Sequence, residues 1–274
     1  MSKSADCHTH TLHSDGTSAP AEVVRLAHEA RLAAVAITDH DTVEGVSAAV
    51  AAGGAAGVRV VPGVELAAEC DGAETHIVGL FIDPAAAPLA AALAAKRDER
   101  RGRFLAILDR LADLGVPLDP EAVLTDDIRD NPSRTHIAAA LLEAGHVAGI
   151  QEAFDRYIGE GQPAYIPRSR FTVGEAAALI RAAGGVAVLA HPYTLTRDGL
   201  ASMVSDGVMA VEAYNACFNP GWSRRLRQWA RDLSIGVSGG SDYHGRNRVG
   251  VTIGAARLPW EFFEDLENRA HAGG

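Results

Sequence analysis

Residues 6–17 read DCHTHTLHSDGT, three histidines and two aspartates near the start of a 274-residue chain. On an extended segment side chains alternate, so His8 and His10 share a face with Asp6 while Cys7 and Thr9 face the other way. Two neutral imidazoles at i and i+2 can share one divalent ion. Alone, a His-x-His pair is equally a chance run, and the rest of the chain has to decide.

Working outward, GTSAPAEVVRLAHEAR reads as a helix with an N-cap at Ser18 and Pro20 in its first turn. LAAVAITDHDT is a short apolar run that closes on Asp39, His40 and Asp41, the pattern of a buried parallel strand with polar residues at its C-terminal end. VRVVPGVELAAE is a strand presenting Glu65, and ETHIVGLFI is its hairpin partner, carrying His76. From residue 85 to 163 the pattern is helical, with no strong strand. The β/α rhythm then resumes. TVGEAAALIRAAGG opens on a capping box, Thr172 to Glu175, and stops at Gly184. VAVLAHP is a strand ending at His191, VMAVEAY is another, and IGVSGGSDYH delivers Asp242 and His244. Ligand-type residues at the ends of alternating strands predict an α/β barrel with its chemistry at the C-terminal face of the sheet. Residues 1–84 and 164–274 would form the barrel domain and 85–163 a helical insertion.

The composition sets limits. A hydrophobic share of 47% and a charged share of 22% fit a globular protein. The start, MSKSAD, lacks a signal-peptide core, and no apolar run is long enough to span a membrane. Cys7, Cys70 and Cys217 form no Cys-x-x-Cys pair, so no disulfide framework is expected and the cytoplasm fits best. A net charge of −10 argues against gripping duplex nucleic acid. It is compatible with a small phosphorylated substrate, because bound divalent cations reverse the local field.

His8, His10, His40, His76, His191 and His244 all fall at or beside strand segments, with Asp15, Glu65 and Asp242 near them. Nine ligands are too many for one ion and imply a cluster of two or three, bridged by Glu65. The blocks DCHTHTLHSDGT, ITDHDT, GVEL, THIVGLF, LAHP and SGGSDYHG resemble, in order, the motifs of the PHP (polymerase and histidinol phosphatase) superfamily. The resemblance runs from Asp6 to about Gly245. It implies a distorted (β/α)7 barrel with two or three divalent ions, Mn²⁺, Fe²⁺ or Zn²⁺. It assigns His8, His10, Glu65 and Asp242 to one metal, Glu65, His76 and His191 to a second, and Asp15, His40 and His244 to a third.

The helical insertion is similar to that of the stand-alone nucleotide-phosphatase branch, where a small lid covers the barrel mouth. Members of that branch remove phosphate from nucleoside 3′,5′-bisphosphates or degrade short 5′-phosphorylated RNA. The expected activity is therefore phosphomonoester hydrolysis of nucleotides, AMP-like substrates included, or of short single-stranded RNA, with water activated between the metals attacking phosphorus. Arg134 and His136, in NPSRTHIAAALLEAG, match the branch's Arg-x-His segment. Arg134 is the expected clamp on phosphoryl oxygens, with Arg168 and Arg170 as second choices. His136 would protonate the leaving oxygen or bind phosphate. His13 stays outside the ligand set, Cys7 belongs to the core, and Asp39 and Asp41 support His40 or cap the next helix. Gly239 and Gly240 would let the backbone pass close to the metals.

Three rivals remain. Histidinol phosphatase shares the superfamily. Amidohydrolases also begin on His-x-His, but many bridge their metals with a modified lysine, and the two lysines here, Lys3 and Lys96, sit outside the strand ends. A non-catalytic metal-binding module would not need the full ligand set.

Overall fold

The computed structural model describes residues 3–125 and 132–272; residues 126–131 of the expected insertion lie outside the described residues. The chain divides into two compact units, Met1–Ala91 with Arg170–Gly274, and Ala92–Ser169.

The first unit is built on one nine-stranded sheet: β1 (Ser4–Asp6), β2 (Ala34–Ile37), β3 (Arg59–Cys70), β4 (Ala73–Leu80), β5 (Phe171–Thr172), β6 (Val186–Leu189), β7 (Ala210–Asn215), β8 (Gly236–Gly240) and β9 (Leu258–Pro259). The order is β8-β7-β6-β4-β3-β2-β1-β9, with β5 beside β3. Every residue of β2, β6 and β8 is buried, as parallel strands covered on both faces should be. β4 runs antiparallel to both β3 and β6, and this departure from parallel pairing distorts the barrel. The path curls back on itself where β8 meets the segment after β1: Cys7 N donates to Gly239 O (3.0 Å) and Asp242 N to His8 O (2.9 Å). The expected distorted (β/α)7 barrel is the observed fold.

Helices α1 (Pro20–Glu29) and α2 (Glu44–Ala56) follow β1 and β2. They bury Val23, Val24, Ala27, Val46 and Ala49 in one core cluster with Val35 and Ile37 of β2. Helix α1 is capped by Ala19 rather than the expected Ser18. The Ser18 hydroxyl bonds the Tyr243 hydroxyl instead (2.9 Å), so a tertiary partner outcompetes the local cap.

Helix α3 (Ala87–Asp113) begins in the first unit and continues in the second, which adds α4 (Pro120–Val123), α5 (Arg134–Glu143), α6 (Ile150–Ala153) and a π-helical turn, Phe154–Ile158. Its own apolar core includes Phe104, Ile107, Leu111, Ile137, Leu141 and Ile158.

The first unit is completed by α7 (Val173–Ala182), α8 (Arg197–Ser205), α9 (Pro220–Asp232) and α10 (Trp260–Ala272). The expected capping box opens α7: Thr172 Oγ1 accepts from Glu175 N, and the Glu175 carboxylate accepts from Thr172 N. Gly184 follows that helix at φ 75°, a conformation that favours glycine. Among the described residues, no helix is long and apolar enough to cross a membrane.

Candidate metal centre

Strand register delivers the ligand-type side chains to one end of the barrel. β1 stops at Asp6, and the segment beyond it carries the two histidines. His8 and His10 turn inward with ring centroids 5.2 Å apart, and Cys7 is buried in the core. β2 ends just before Asp39 and His40, and His40 forms a parallel bridge to Glu65 on β3. Across the β3–β4 hairpin Glu65 pairs with Val78 and Ala67 with His76. Glu65 and His76 therefore lie on one face, diagonal to each other, as a two-residue period requires. His191 follows β6, and Asp242 and His244 follow β8. His191 (φ 28°) and Asp242 (φ 56°) both hold left-handed backbone conformations, costly for residues other than glycine and common where a site fixes them.

All nine side chains converge. The buried Glu65 carboxylate lies near five imidazoles: His76 Nδ1 at 3.0 Å, His10 Nε2 and His191 Nε2 at 3.1 Å, His40 Nδ1 at 3.2 Å and His8 Nε2 at 3.3 Å. Asp242 Oδ1 is 3.4 Å from His10 and 3.6 Å from His8, and Asp15 reaches His244 at 3.3 Å and His10 at 3.5 Å. Among the described residues, four groups place their donor atoms within 4.8 Å of one another: His10, Asp15, His40 and His244; His8, Glu65 and His191; His8, His10 and Asp242; His40, Glu65 and His76.

Glu65 Oε1 bonds His76 Nδ1 and His191 Nε2, but its other oxygen does not find a partner in the same way. His8 Nε2, His10 Nε2 and Glu65 Oε2 are buried and lack a hydrogen-bond partner, although nitrogen and oxygen stand 3.1–3.3 Å apart. Orphaned buried polar atoms are costly. Nitrogen and oxygen donors aimed at shared points rather than at each other fit divalent cations of the Mn²⁺, Fe²⁺ or Zn²⁺ type.

The electrostatics agree. Burial opposes charge on His8, but Glu65, Asp242 and Glu212 outweigh it and hold its pKa well above the ordinary histidine value. For His10 burial is outweighed by Asp242 and Glu65, which raise it to about 9. His76 is raised to about 9 by Glu65 and Glu74 against burial. His40, dominated by burial, falls to about 4. Burial pushes the Glu65 carboxyl up, but His40 and His8 bring it well below its usual value, and Asp242 is lowered in the same way by His8 and His10. Ionised carboxylates in a buried cluster demand positive charge, which protons or metal ions can provide.

A supporting layer went unread in the sequence. Glu212 is buried in β7, with Oε2 3.3 Å from His8 Nδ1 and accepting a 2.7 Å bond from His191 N. It holds the outer nitrogen of His8 and leaves Nε2 facing Glu65. His244 has the same arrangement, its Nδ1 donating to Asp242 O (2.9 Å). The available signal was a lone glutamate inside the apolar run VMAVEAY, a buried charge in need of a partner. Removing such an outer partner costs metal affinity about 10–100-fold. Glu212→Ala is expected to weaken Mn²⁺ binding in calorimetry by that amount; unchanged affinity would remove Glu212 from this role.

Asp39 does not cap α2. Its carboxylate accepts from Thr11 N (2.7 Å), Thr11 Oγ1 (2.7 Å) and Ser14 Oγ (2.6 Å), pinning the turn that follows His10. Asp41 Oδ1 accepts from Ala67 N (3.3 Å). Asp6 turns away from the cluster: its carboxylate accepts from Ser241 N and Gly254 N, both at 2.8 Å, and burial raises its pKa to about 6. His13 stands 3.9 Å from Glu44, outside the cluster. Arg248, also unread, pairs with the Asp242 carboxylate and bonds Asp242 O (3.1 Å).

Three of the residues expected to bind substrate, Arg134, His136 and Arg168, belong to the helical unit. Arg134 opens α5, donates to Ile158 O (3.2 Å), and lies over the Tyr165 and Phe154 rings at 5.4 and 5.7 Å. His136 Nδ1 accepts from Ser133 N (3.1 Å), and burial lowers its pKa. While Nδ1 accepts that bond, the ring carries its proton on Nε2. Arg168 is half-buried. Arg170, in the first unit, pairs with Glu74 (2.5 Å) and Glu69 (3.6 Å) on the β3–β4 hairpin.

The PHP domain family model matches residues 6–157, more than half of the chain. The chain belongs to the PHP family. A 5′-3′ exoribonuclease of Haemophilus influenzae is 31% identical over 252 residues, covering 89% of this chain and 91% of that protein. A 3′,5′-nucleoside bisphosphate phosphatase of Chromobacterium violaceum is 32% identical over 263 residues, covering 91% and 90%. The solved structure of a Bifidobacterium adolescentis protein classed with the metal-dependent phosphoesterases superposes with a TM-score of 0.81 at 29% identity, covering 97% of this chain and 96% of that one. As a PHP protein the chain is a metal-dependent hydrolase.

Proposed function

We propose that this PHP protein is a phosphomonoesterase of nucleotides, acting on nucleoside 3′,5′-bisphosphates, AMP-like monophosphates or short 5′-phosphorylated RNA. The observation that carries the reading is the buried trio His8 Nε2, His10 Nε2 and Glu65 Oε2, orphaned yet facing one another. The relatives named for nucleotide and RNA hydrolysis, matched over most of their length, support the substrate class.

Two or three cations would be held by His8, His10, Glu65 and Asp242; by Glu65, His76 and His191; and by Asp15, His40 and His244. Such ions supply Lewis acidity and neutralise charge on the phosphoryl oxygens during in-line displacement. The protein's own groups do the rest. Glu212 and the Asp242 carbonyl orient His8 and His244. Asp39 rigidifies the turn bearing Asp15 by bonding Ser14. From the helical unit, Arg134 and Arg168 would supply positive charge for phosphate and His136 an N–H donor.

With Mn²⁺ present, a panel of AMP, nucleoside 3′,5′-bisphosphate, histidinol phosphate and 5′-phosphorylated oligoribonucleotides should show turnover of the nucleotide substrates above histidinol phosphate. Excess chelator should abolish it and added Mn²⁺ restore it. Full activity in excess chelator, or preference for histidinol phosphate, would overturn the proposal.

A further inference from the structure

The ligand cluster accounts for the phosphate end of a substrate and leaves the rest of the molecule without a place. Beside the cluster stands an aromatic group that neither core nor metal site uses. Tyr193 follows His191 by two residues and is 52% exposed, although large aromatic rings usually bury. It is nevertheless held in place. Its ring stacks along that of His191, with centroids 5.7 Å apart at 19°, and Phe218 meets it edge-on at 5.7 Å and 89°. Its hydroxyl accepts a 2.8 Å bond from Arg248 Nη2, and the same guanidinium pairs with Asp242. The buried Pro192, next in the chain, is anchored by Trp222 Nε1 donating to its carbonyl (2.8 Å).

A surface tyrosine held at its hydroxyl, by two neighbouring rings and through its backbone has lost its freedom before any ligand arrives. Pre-ordering of that kind is what a binding platform requires, since the ordering cost is not charged to the ligand. Planar heteroaromatic rings stack on such platforms with little regard to sequence. We infer that Tyr193 and Phe218, with Arg248 as the tether, form a nucleobase-binding shelf beside the metal centre, so that the substrate is recognised by its base as well as its phosphate. This rests on the phosphomonoesterase reading and deepens it.

The test compares AMP with ribose 5-phosphate, which carries the same 5′-phosphate without a base, using the Mn²⁺-loaded protein. The wild type should favour AMP in kcat/KM. Tyr193→Ala should reduce that AMP-to-ribose-5-phosphate ratio about tenfold or more, mainly through the KM for AMP. Phe218→Ala should reduce it less, while Tyr193→Phe, which keeps the ring, should retain most of it. An unchanged ratio in a Tyr193→Ala protein of wild-type Tm would overturn the shelf. Equal wild-type kcat/KM for the two substrates would also overturn it and leave the phosphatase reading standing. Hydrolysis of neither, with nucleoside 3′,5′-bisphosphate and 5′-phosphorylated RNA also left intact, would sink both.

Discussion

Replacing Glu65 with alanine is expected to lower phosphomonoester turnover by at least about a thousandfold and to strip most of the bound metal from the protein. The expectation follows from its position. One fully buried carboxylate lies 3.0–3.3 Å from a ring nitrogen of His8, His10, His40, His76 and His191, contributed by the ends of β1, β2 and β6 and by β4. All four donor groups found among the described residues adjoin this carboxylate through their histidines or include it outright. Without it, the five imidazoles lose the carboxylate they share, and the negative charge that draws cations in falls to Asp242 and Asp15 at the margins of the cluster. Glu65→Gln keeps the volume and removes the charge, so it should fall nearly as far. Kinetics with AMP and metal analysis of the same samples check both variants. A Glu65→Gln protein retaining full metal content and turnover would mean that the carboxylate is not central.

The second large effect concerns stability. Gly240→Ala is expected to destabilise the protein by about 2–4 kcal/mol, lowering Tm by about 5–10 °C. A Cβ at Gly240 would fall onto the backbone and Cβ of His8, and one at Gly239 would meet Tyr214. The sequence-based expectation was that these glycines let the chain approach the metals. The chain admitted at Gly240 is that of His8, one of the expected ligands, and at Gly239 that of Tyr214 in β7. At Gly240 the close approach lies in the seam that closes the barrel, between the Cys7–Gly239 and Asp242–His8 backbone bonds. Prising that seam apart also shifts His8, so metal affinity should fall with Tm. Calorimetric unfolding checks the effect, and a Tm within about 1 °C of wild type would contradict the packing argument.

The histidines and carboxylates at strand ends were legible because each ended a short, locally recognisable apolar run. A two-residue period is enough to predict that His8 and His10 share a face, and that Glu65 and His76 meet across a hairpin. What escaped were groups whose partners lie far away in the chain. Glu212 meets His8 across 204 positions. Asp6 was assigned to the ligand face by alternation, but β1 ends there, and its carboxylate turns to the amides of Ser241 and Gly254. The Ser18 cap failed for the same reason, its hydroxyl being taken by Tyr243. The start of the helical unit is blurred in sequence because α3 runs unbroken from Ala87 to Asp113, across the point where the units divide. Local pattern reads elements and the faces they present; tertiary hydrogen bonds decide which polar groups are spent on structure.

The central claim is that the converging histidines and carboxylates hold divalent cations. Anomalous diffraction at the manganese absorption edge, from crystals grown with Mn²⁺, tests it most directly. The account predicts anomalous peaks between Glu65, Asp242, Asp15 and the six inward-facing imidazoles. A protein crystallised in saturating Mn²⁺ with no such peak there, or with ions bound only elsewhere, would contradict it.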